Sequence, residues 1–236
     1  MIDNHPVVSH EAWLEARKQF LAREKEFNRL RDQLSADRRA LPWERIDKQY
    51  VFEGPNGRET LADLFAGCSQ LVIYHFMLGP GWKEGCKSCS FWADNLNGVD
   101  IHLAHRDVTA LLVSSAPLAE INAYRQRMGW GLKWVSSAGS DFNKDYHVTF
   151  APEELEKGEV FYNYAWSKLS GTEMPGISVF YKDADGTVYH TYSTYARGLD
   201  MMNGAYHYLD LVPKGRDEER LRSNMEWVRW HDKYED

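Results

Sequence analysis

The chain has 236 residues, of which 43% are hydrophobic and 27% are charged, a mixture that is typical of a globular protein and excludes extensive disorder. Its net charge of -7 disfavours nucleic acid as a partner, because binding to phosphate requires a basic surface. Three cysteines are too few for a disulfide-rich secreted scaffold.

The first residues carry neither a basic nor an apolar segment, so no signal peptide is predicted. The longest apolar runs have the length of a strand, which excludes a bilayer-spanning helix. We therefore expect a soluble cytoplasmic protein that does not bind membranes. Thiols are kept reduced in the cytoplasm, so a Cys-x-x-Cys pair there favours catalysis or metal binding over a structural disulfide.

A long amphipathic helix is predicted at the N-terminus, beginning after the N-cap Ser9 and ending near residue 34. Its apolar residues recur at helical spacing. They are Trp13, Ala16, Phe20, Phe27, Leu30 and Leu34. We expect this stripe to pack against the rest of the chain rather than against a partner or a membrane. Residues 1–45 are accordingly predicted to form an N-terminal helical extension.

The middle of the chain alternates apolar strands with helices, which indicates an α/β domain over residues 46–212. The predicted elements are strands at 71–77 and 107–113, each followed by a helix, then hairpin strands at 177–182 and 187–192 and a helix at 199–209. Residues 142–170 interrupt this pattern and are predicted to be an insertion. Leu221, Met225 and Val228 have helical spacing, which predicts a helical tail over residues 213–236.

Two thiols one helical turn apart follow the strand at 71–77 and a short glycine-rich loop. They are Cys86 and Cys89. This layout is typical of a dithiol redox site in a βαβ unit. Cys86 would stand at the start of the helix, where unpaired N–H groups and the helix dipole favour its thiolate. We predict that Cys86 is the nucleophile and that Cys89, one turn deeper, is the resolving thiol.

The order of elements matches that of the thioredoxin fold. Several segments also contain familiar sequence motifs, at residues 60–65, 71–77, 85–94, 134–142 and 206–211. Together they closely resemble the bacterial thioredoxin-like family known as domain of unknown function 899, from about Ser9 to the C-terminus. The resemblance implies a thioredoxin-like central mixed sheet flanked by helices and a redox dithiol at Cys86 and Cys89, with no defined substrate.

Pro175 stands just before the first hairpin strand, where thioredoxin-like proteins hold a cis-proline beside the active-site sulfurs. The resemblance therefore implies that Pro175 holds the substrate chain. The long loop before the cysteines is also similar to that of peroxiredoxins. Their motif, however, places a threonine where Lys83 stands and a proline where Gly79 stands. Thiol peroxidase activity is therefore a further alternative that the missing hydroxyl disfavours.

Four residues near the dithiol are candidates for supporting roles. Lys87 adds a positive charge that favours the Cys86 thiolate. Trp82 either forms part of a docking surface for a substrate or packs against other side chains of the chain. His75 is either a proton acceptor for the resolving thiol or, as its apolar strand favours, a hydrogen-bonded core residue. Glu84 is another candidate proton acceptor, although exposure is the more usual role and its negative charge would raise the pKa of the thiol.

A zinc site is an alternative use of the two thiols. With His102 and His105 they give C-x2-C-x12-H-x2-H, one residue short of the usual finger spacing. The flanking apolar strands disfavour this interpretation, so we predict no metal and no cofactor. Cys68 is interpreted as a bystander in a loop.

The sequence therefore predicts a thiol–disulfide oxidoreductase. Its partners would be a disulfide-containing protein or a small thiol or peroxide substrate, together with a separate reductant. The main alternative is a non-catalytic binding module of the same fold with structural or metal-holding thiols. The high aromatic content is compatible with a homodimer interface but identifies none.

Overall fold

The computed structural model describes residues 5–235 and has a central sheet with helices packed on both faces. The strands are β1 (Glu44–Arg45), β2 (Val51–Gly54), β3 (Gly57–Thr60), β4 (Gln70–His75), β5 (Val108–Ser114), β6 (Trp134–Ser136), β7 (Val160–Tyr162), β8 (Ala165–Ser167), β9 (Gly176–Lys182) and β10 (Val188–Tyr195). The helices are α1 (His10–Arg39), α2 (Lys87–Leu96), α3 (Val99–Ala104), α4 (Leu118–Arg127), α5 (Phe142–Asp145), α6 (Pro152–Glu156) and α7 (Gly204–Leu209). Short 3-10 segments lie at Asp63–Phe65, Ala196–Met202 and His231–Lys233.

The main sheet has the order β1-β10-β9-β4-β5-β6-β2-β3. Strand β4 pairs in parallel with β5 and antiparallel with β9, and β9 continues into β10 through a hairpin. Helix α2 makes the crossover between β4 and β5, as a parallel pair requires. These features confirm the predicted thioredoxin-like α/β fold with a central mixed sheet flanked by helices.

Alternate residues of β4 face two different core layers, because successive side chains of a strand point to opposite faces of the sheet. Tyr74 belongs to the layer that contains Cys89 and Trp92 of α2. Ile73 belongs to the other layer, where His75 stacks on Phe142 of α5. The two layers therefore place neighbouring residues of one strand in separate environments.

The region 142–170 follows β6 and holds α5, α6 and the separate two-stranded sheet of β7 and β8. A small apolar cluster joins this region to the end of β10, where Val148 and Tyr162 pack with Tyr195. A β-bridge between Thr149 and Glu173 connects it to the segment that leads into β9.

Helix α1 begins as expected, because the Ser9 hydroxyl accepts a hydrogen bond from the Ala12 N–H at 3.3 Å. The expectation that its stripe packs against the chain is wrong. None of its residues is buried, and Trp13 and Phe27 are 54% and 64% exposed. Helical spacing defines an apolar face but does not specify the surface that covers it. No helix among residues 5–235 is long and apolar enough to cross a membrane.

The expected helical tail over residues 213–236 is also wrong within its described part, residues 213–235. This segment consists of turns and one 3-10 segment, His231–Lys233. Asp217 and Met225 have positive φ, which interrupts a right-handed helix. Backbone N–H groups bond to side chains instead, as Met225 does to Glu218. The apolar residues at helical spacing therefore lie in an irregular segment, which buries Val228 completely without forming a helix.

Candidate dithiol site

Cys86 is the N-cap residue of α2, at the end of the loop that follows β4. Its N–H donates to the Met77 carbonyl at 3.1 Å, and its carbonyl accepts from the Ser90 N–H at 2.9 Å. Gly85 is needed just before it, since a Cβ there would lie 2.6 Å from Phe76 and 2.7 Å from Tyr124. The absence of a side chain lets the loop pass beneath these rings and brings Cys86 to the helix start.

The two cysteines are reduced and lie about 3.8 Å apart. A hydrogen bond from the Cys89 thiol, aided by the N–H groups of Cys89 and Ser88 and partly opposed by burial, lowers the pKa of Cys86 to about 6. Burial, together with the neighbouring Cys86 sulfur, raises the pKa of Cys89 well above its ordinary value. The site therefore holds a thiolate at Cys86 and a thiol at Cys89 near neutral pH.

Tyr74 is part of this site, although sequence reasoning did not select it. It is only 3% exposed, and its hydroxyl is hydrogen-bonded to the Cys89 sulfur, which acts to lower the pKa of Cys89 against the effect of burial. Burial also raises the pKa of Tyr74 itself, so the phenol stays protonated. The signal available in the sequence was strand alternation, which gives Tyr74 and His75 opposite faces.

His75 lies in the other core layer and is not brought to the thiols. Its Nε2 shares a hydrogen bond of 2.9 Å with the Ser178 hydroxyl, and its ring stacks on Phe142 and Tyr146. Burial, with His190 nearby, lowers the pKa of His75 to about 3. This environment corresponds to the hydrogen-bonded core residue that the apolar strand favoured.

The charged residues that flank Cys86 are paired with the C-terminal segment. The Lys87 ammonium donates to the Glu226 carbonyl at 3.0 Å. Glu84 forms ion pairs with Lys233 and Arg127, and these hydrogen bonds hold its pKa below its ordinary value. Both side chains thus anchor the chain's C-terminal part beside the thiols.

Trp82 is 37% exposed and lies over Gly79, whose position has no room for a Cβ beneath the indole. Pro175 lines the same cavity as the two cysteines. Its carbonyl accepts a hydrogen bond from the Tyr162 hydroxyl at 2.9 Å. The peptide bond before Pro175 is trans, since residues 5–235 contain no cis peptide.

A cavity of about 240 Å³ opens beside Cys86. Apolar and aromatic side chains form most of its wall, including Tyr74, Trp92, Leu199 and Met225. The Trp92 indole N–H donates to the Leu199 carbonyl at 2.8 Å, which fixes the 3-10 segment Ala196–Met202 against α2. A substrate in this cavity would contact the Cys86 sulfur directly.

The zinc alternative finds no support in this geometry. His102 and His105 lie on or next to α3 and are exposed. Within residues 5–235 no group of three or more His, Cys, Asp or Glu side chains is arranged to hold a metal ion.

Comparison with known proteins identifies one family. A family model described as "Bacterial protein of unknown function (DUF899)" matches residues 2–234, which is nearly the whole chain. No curated protein matches the sequence.

Three solved structures have weaker similarity. PrxQ from Xylella fastidiosa, as a mutant, is 12% identical with a TM-score of 0.41, and the match covers 67% of this chain and 89% of that one. Peroxidoxin BcpB from Mycobacterium tuberculosis is 10% identical with a TM-score of 0.45, covering 66% and 90%. A candidate thiol:disulfide interchange protein, DsbE, from Chlorobium tepidum is 12% identical with a TM-score of 0.40, covering 70% and 97%.

Proposed function

We propose that this chain, which belongs to the family described as bacterial protein of unknown function (DUF899), is a thiol–disulfide oxidoreductase. The observation that carries the proposal is the placement of two thiols about 3.8 Å apart beside one cavity, with Cys86 as the N-cap of α2 and Cys89 buried one turn inside it. This placement lowers the pKa of Cys86 and raises that of Cys89. A thiolate next to a thiol is the pairing that exchange requires, since the first attacks and the second resolves.

The proposed reaction has two displacements. The Cys86 thiolate attacks one sulfur of a substrate disulfide, the substrate S–S bond breaks, and the departing thiolate takes a proton from water. Cys89 then loses its proton and attacks the Cys86 sulfur, which breaks the mixed disulfide between Cys86 and the substrate. The second substrate sulfur leaves and takes up the proton that Cys89 lost. The substrate is reduced to two thiols and the chain is oxidised to a Cys86–Cys89 disulfide. We propose that a separate dithiol reductant in the cytoplasm restores the reduced chain.

The test is the reduction potential of the pair. The protein is equilibrated across glutathione redox buffers, free thiols are alkylated, and the 86–89 disulfide is quantified by mass spectrometry. We expect one two-electron transition between roughly -270 and -120 mV, the range of working dithiol oxidoreductases. Cys68→Ser is the matched control, because Cys68 lies outside the site, and it should leave the transition unchanged. Failure to form the 86–89 disulfide in any buffer would contradict the proposal.

Two single-cysteine variants then assign the roles. Cys86→Ser should abolish exchange with a disulfide substrate, whereas Cys89→Ser should trap the mixed disulfide on Cys86. Exchange that survives in Cys86→Ser would favour the alternative of a non-catalytic binding module. Peroxide reduction is the further alternative: the exposed Lys83 stands where the peroxiredoxin motif has its threonine, and the hydroxyl that bonds to the Cys86 sulfur is that of Ser88.

A further inference from the structure

One wall of the dithiol cavity comes from the C-terminal segment, residues 213–235. Met225 lines the cavity, and Trp227 packs edge-on against Phe91 of α2 at a centroid separation of 5.5 Å. The Trp230 indole N–H donates to the Gly85 carbonyl at 2.8 Å, directly before Cys86. The C-terminal segment therefore fills the space beside Cys86 in which a protein substrate would have to dock.

This wall is fixed in place by its own hydrogen bonds. One carboxylate oxygen of Glu218 accepts from the Tyr206 hydroxyl at 3.0 Å, the Met225 N–H at 3.0 Å and the Trp227 indole N–H at 2.7 Å. Val228 is completely buried. Displacing the segment would break this set of bonds and expose the apolar side chains, so the cavity keeps its size when substrate arrives.

The cavity's size and lining restrict what can reach Cys86. Its volume of about 240 Å³ lies below the roughly 300–1,000 Å³ of pockets for drug-sized ligands. Aromatic rings, Pro175, Leu199 and the Met225 thioether form most of its surface. A small compound with short apolar groups fits such a wall, whereas a polypeptide does not.

The cationic side chains at the cavity are already paired or screened. Arg216 is paired with Asp200 at 3.0 Å and with Asp210 at 2.8 Å, and its guanidinium stacks 3.9 Å from the Tyr206 ring. The Arg197 side chain is 82% exposed, where water screens its charge. An anionic substrate would lose hydration on entry without gaining an unpaired cation, and the Cys86 thiolate would repel it.

We propose, on the basis of the dithiol function proposed above, that the substrates are small uncharged organic disulfides rather than protein disulfides. The Cys86 thiolate attacks one sulfur of the compound in the cavity and one small thiolate leaves, taking a proton from water. Cys89 then displaces the second thiol, giving it the Cys89 proton. The compound is reduced to two thiols and the Cys86–Cys89 pair is oxidised.

The experiment compares disulfides of different size and charge in single turnovers. The reduced Cys68→Ser protein is mixed with diethyl disulfide, the dianion dithiodipropionate, oxidised glutathione or insulin, and the 86–89 disulfide is followed by alkylation and mass spectrometry. Each rate constant is divided by that of dithiothreitol with the same compound, which removes intrinsic reactivity. We expect the normalised rate for diethyl disulfide to exceed the rates for the other three compounds by at least about tenfold. The reason is that burying an unpaired charge is costly and that large molecules do not fit the cavity.

Insulin or oxidised glutathione reacting as fast as diethyl disulfide would overturn the proposal. The oxidant diamide separates this failure from failure of the dithiol function, because it requires no binding cavity of matching shape. If diamide forms the 86–89 disulfide but the normalised rates for the four disulfides are equal, the dithiol function stands and the proposed substrate class is wrong. If diamide forms no disulfide, both are wrong.

A variant of the wall provides a second test. Met225→Ala enlarges the cavity and should raise the rate with di-n-butyl disulfide several-fold relative to the rate with diethyl disulfide. Met225→Leu conserves the volume and is the matched control, since both replacements meet the same positive φ. An equal rate with di-n-butyl disulfide in the two variants would show that the substrate does not use this cavity.

Discussion

Cys86 and Cys89 have the same acidity in an unfolded chain and are driven apart on folding. The pKa of Cys86 falls to about 6 because the Cys89 thiol and two N–H groups bond to its sulfur, whereas burial raises the pKa of Cys89. The difference follows from the position of Cys86 at the N-terminal start of α2 and of Cys89 one turn inside the helix, where it is buried.

The alkylation rate of Cys86 should therefore depend on pH with a midpoint near 6. The thiolate is the reactive form, so the rate rises as pH increases through the folded pKa and reaches a plateau above about pH 7. Cys89→Ala removes the strongest of the stabilising hydrogen bonds and should move the midpoint upward. The measurement is the rate of iodoacetamide modification in a Cys68→Ser background between pH 4 and about pH 10, a range that covers both a midpoint near 6 and the ordinary thiol pKa. A midpoint near 9 in the unaltered site would contradict this assignment.

Tyr74 is expected to act on the second displacement only. Its hydrogen bond lowers the pKa of Cys89, so Tyr74→Phe should raise that pKa further and slow closure of the 86–89 disulfide. The attack by Cys86 should keep its rate, and the mixed disulfide should accumulate. Tyr124→Phe is the matched control, because Tyr124 bonds to Ser90 rather than to a thiol. Equal accumulation in both variants would indicate a packing effect in place of a positioning role.

Glu173 gives the chain a pH-dependent stability that is separate from the thiols. It is 3% exposed, burial raises its pKa to about 7, and Ser115 and Thr149 donate to it at 2.7 Å and 2.9 Å. Because the folded pKa is raised, the folded state binds the proton more tightly. The contribution is present in full below the unfolded pKa near 4.5 and is lost as pH rises through about 7.

Glu173→Gln cannot ionise and should therefore gain stability relative to the unaltered protein as pH rises from 4.5 to 7. The expected difference between these two limits is on the order of 3 kcal/mol. Urea unfolding of both proteins at a series of pH values measures it. Parallel stability curves would show that Glu173 is ionised in the folded chain throughout this range.

At the level of elements, the sequence was informative where a local signal decides the outcome. The apolar run of β4, the glycine-rich loop and the spacing of Cys86 and Cys89 together specify a strand, a turn and a helix start. Which face of β4 meets α2 depends instead on how the sheet is covered, and no single strand encodes that. His75 was a candidate because its imidazole can accept a proton, but it lies on the face of the sheet away from the thiols. Tyr74, on the other face, is the residue that contacts Cys89.

The C-terminal segment could not be predicted for a related reason. Its structure rests on bonds between backbone N–H groups and the Glu218 carboxylate, and on indole contacts with residues more than a hundred positions away, as between Trp230 and Gly85. Apolar spacing carries no information about such bonds. Helical periodicity therefore predicted a regular element where tertiary contacts hold an irregular one.

Glu218 should accordingly contribute most of the order of this segment. Glu218→Ala removes three hydrogen bonds to one carboxylate oxygen and leaves the Trp227 indole N–H without its partner. We expect a loss of about 2–4 kcal/mol in the free energy of unfolding and faster proteolysis within residues 213–235. The neighbouring Glu219→Ala is the matched control, because Glu219 is exposed. Equal unfolding free energies and cleavage rates would contradict a fixed wall.

For the whole molecule, two kinds of structure lie side by side in one chain. The sheet and its two core layers bury large side chains such as Trp134 and Phe142 completely, and they carry the dithiol site. Helix α1 buries no residue, although it has thirty residues and a regular apolar stripe. Stability from apolar burial is proportional to the area removed from water, so α1 contributes little of it within this chain.

A variant that lacks residues 1–35 should therefore unfold with nearly the same free energy as the full chain. It keeps Arg38, whose guanidinium stacks 5.0 Å from the Tyr192 ring, so the junction with the sheet is preserved. The expected change is within about 1 kcal/mol, as is usual for changes that leave the core intact. Urea unfolding followed by tryptophan fluorescence measures it, with Trp13→Phe in the full chain as the control for the lost fluorophore. A loss of several kcal/mol or of cooperative unfolding would mean that α1 is part of the folding unit, and that its exposed side chains are covered in solution by another surface.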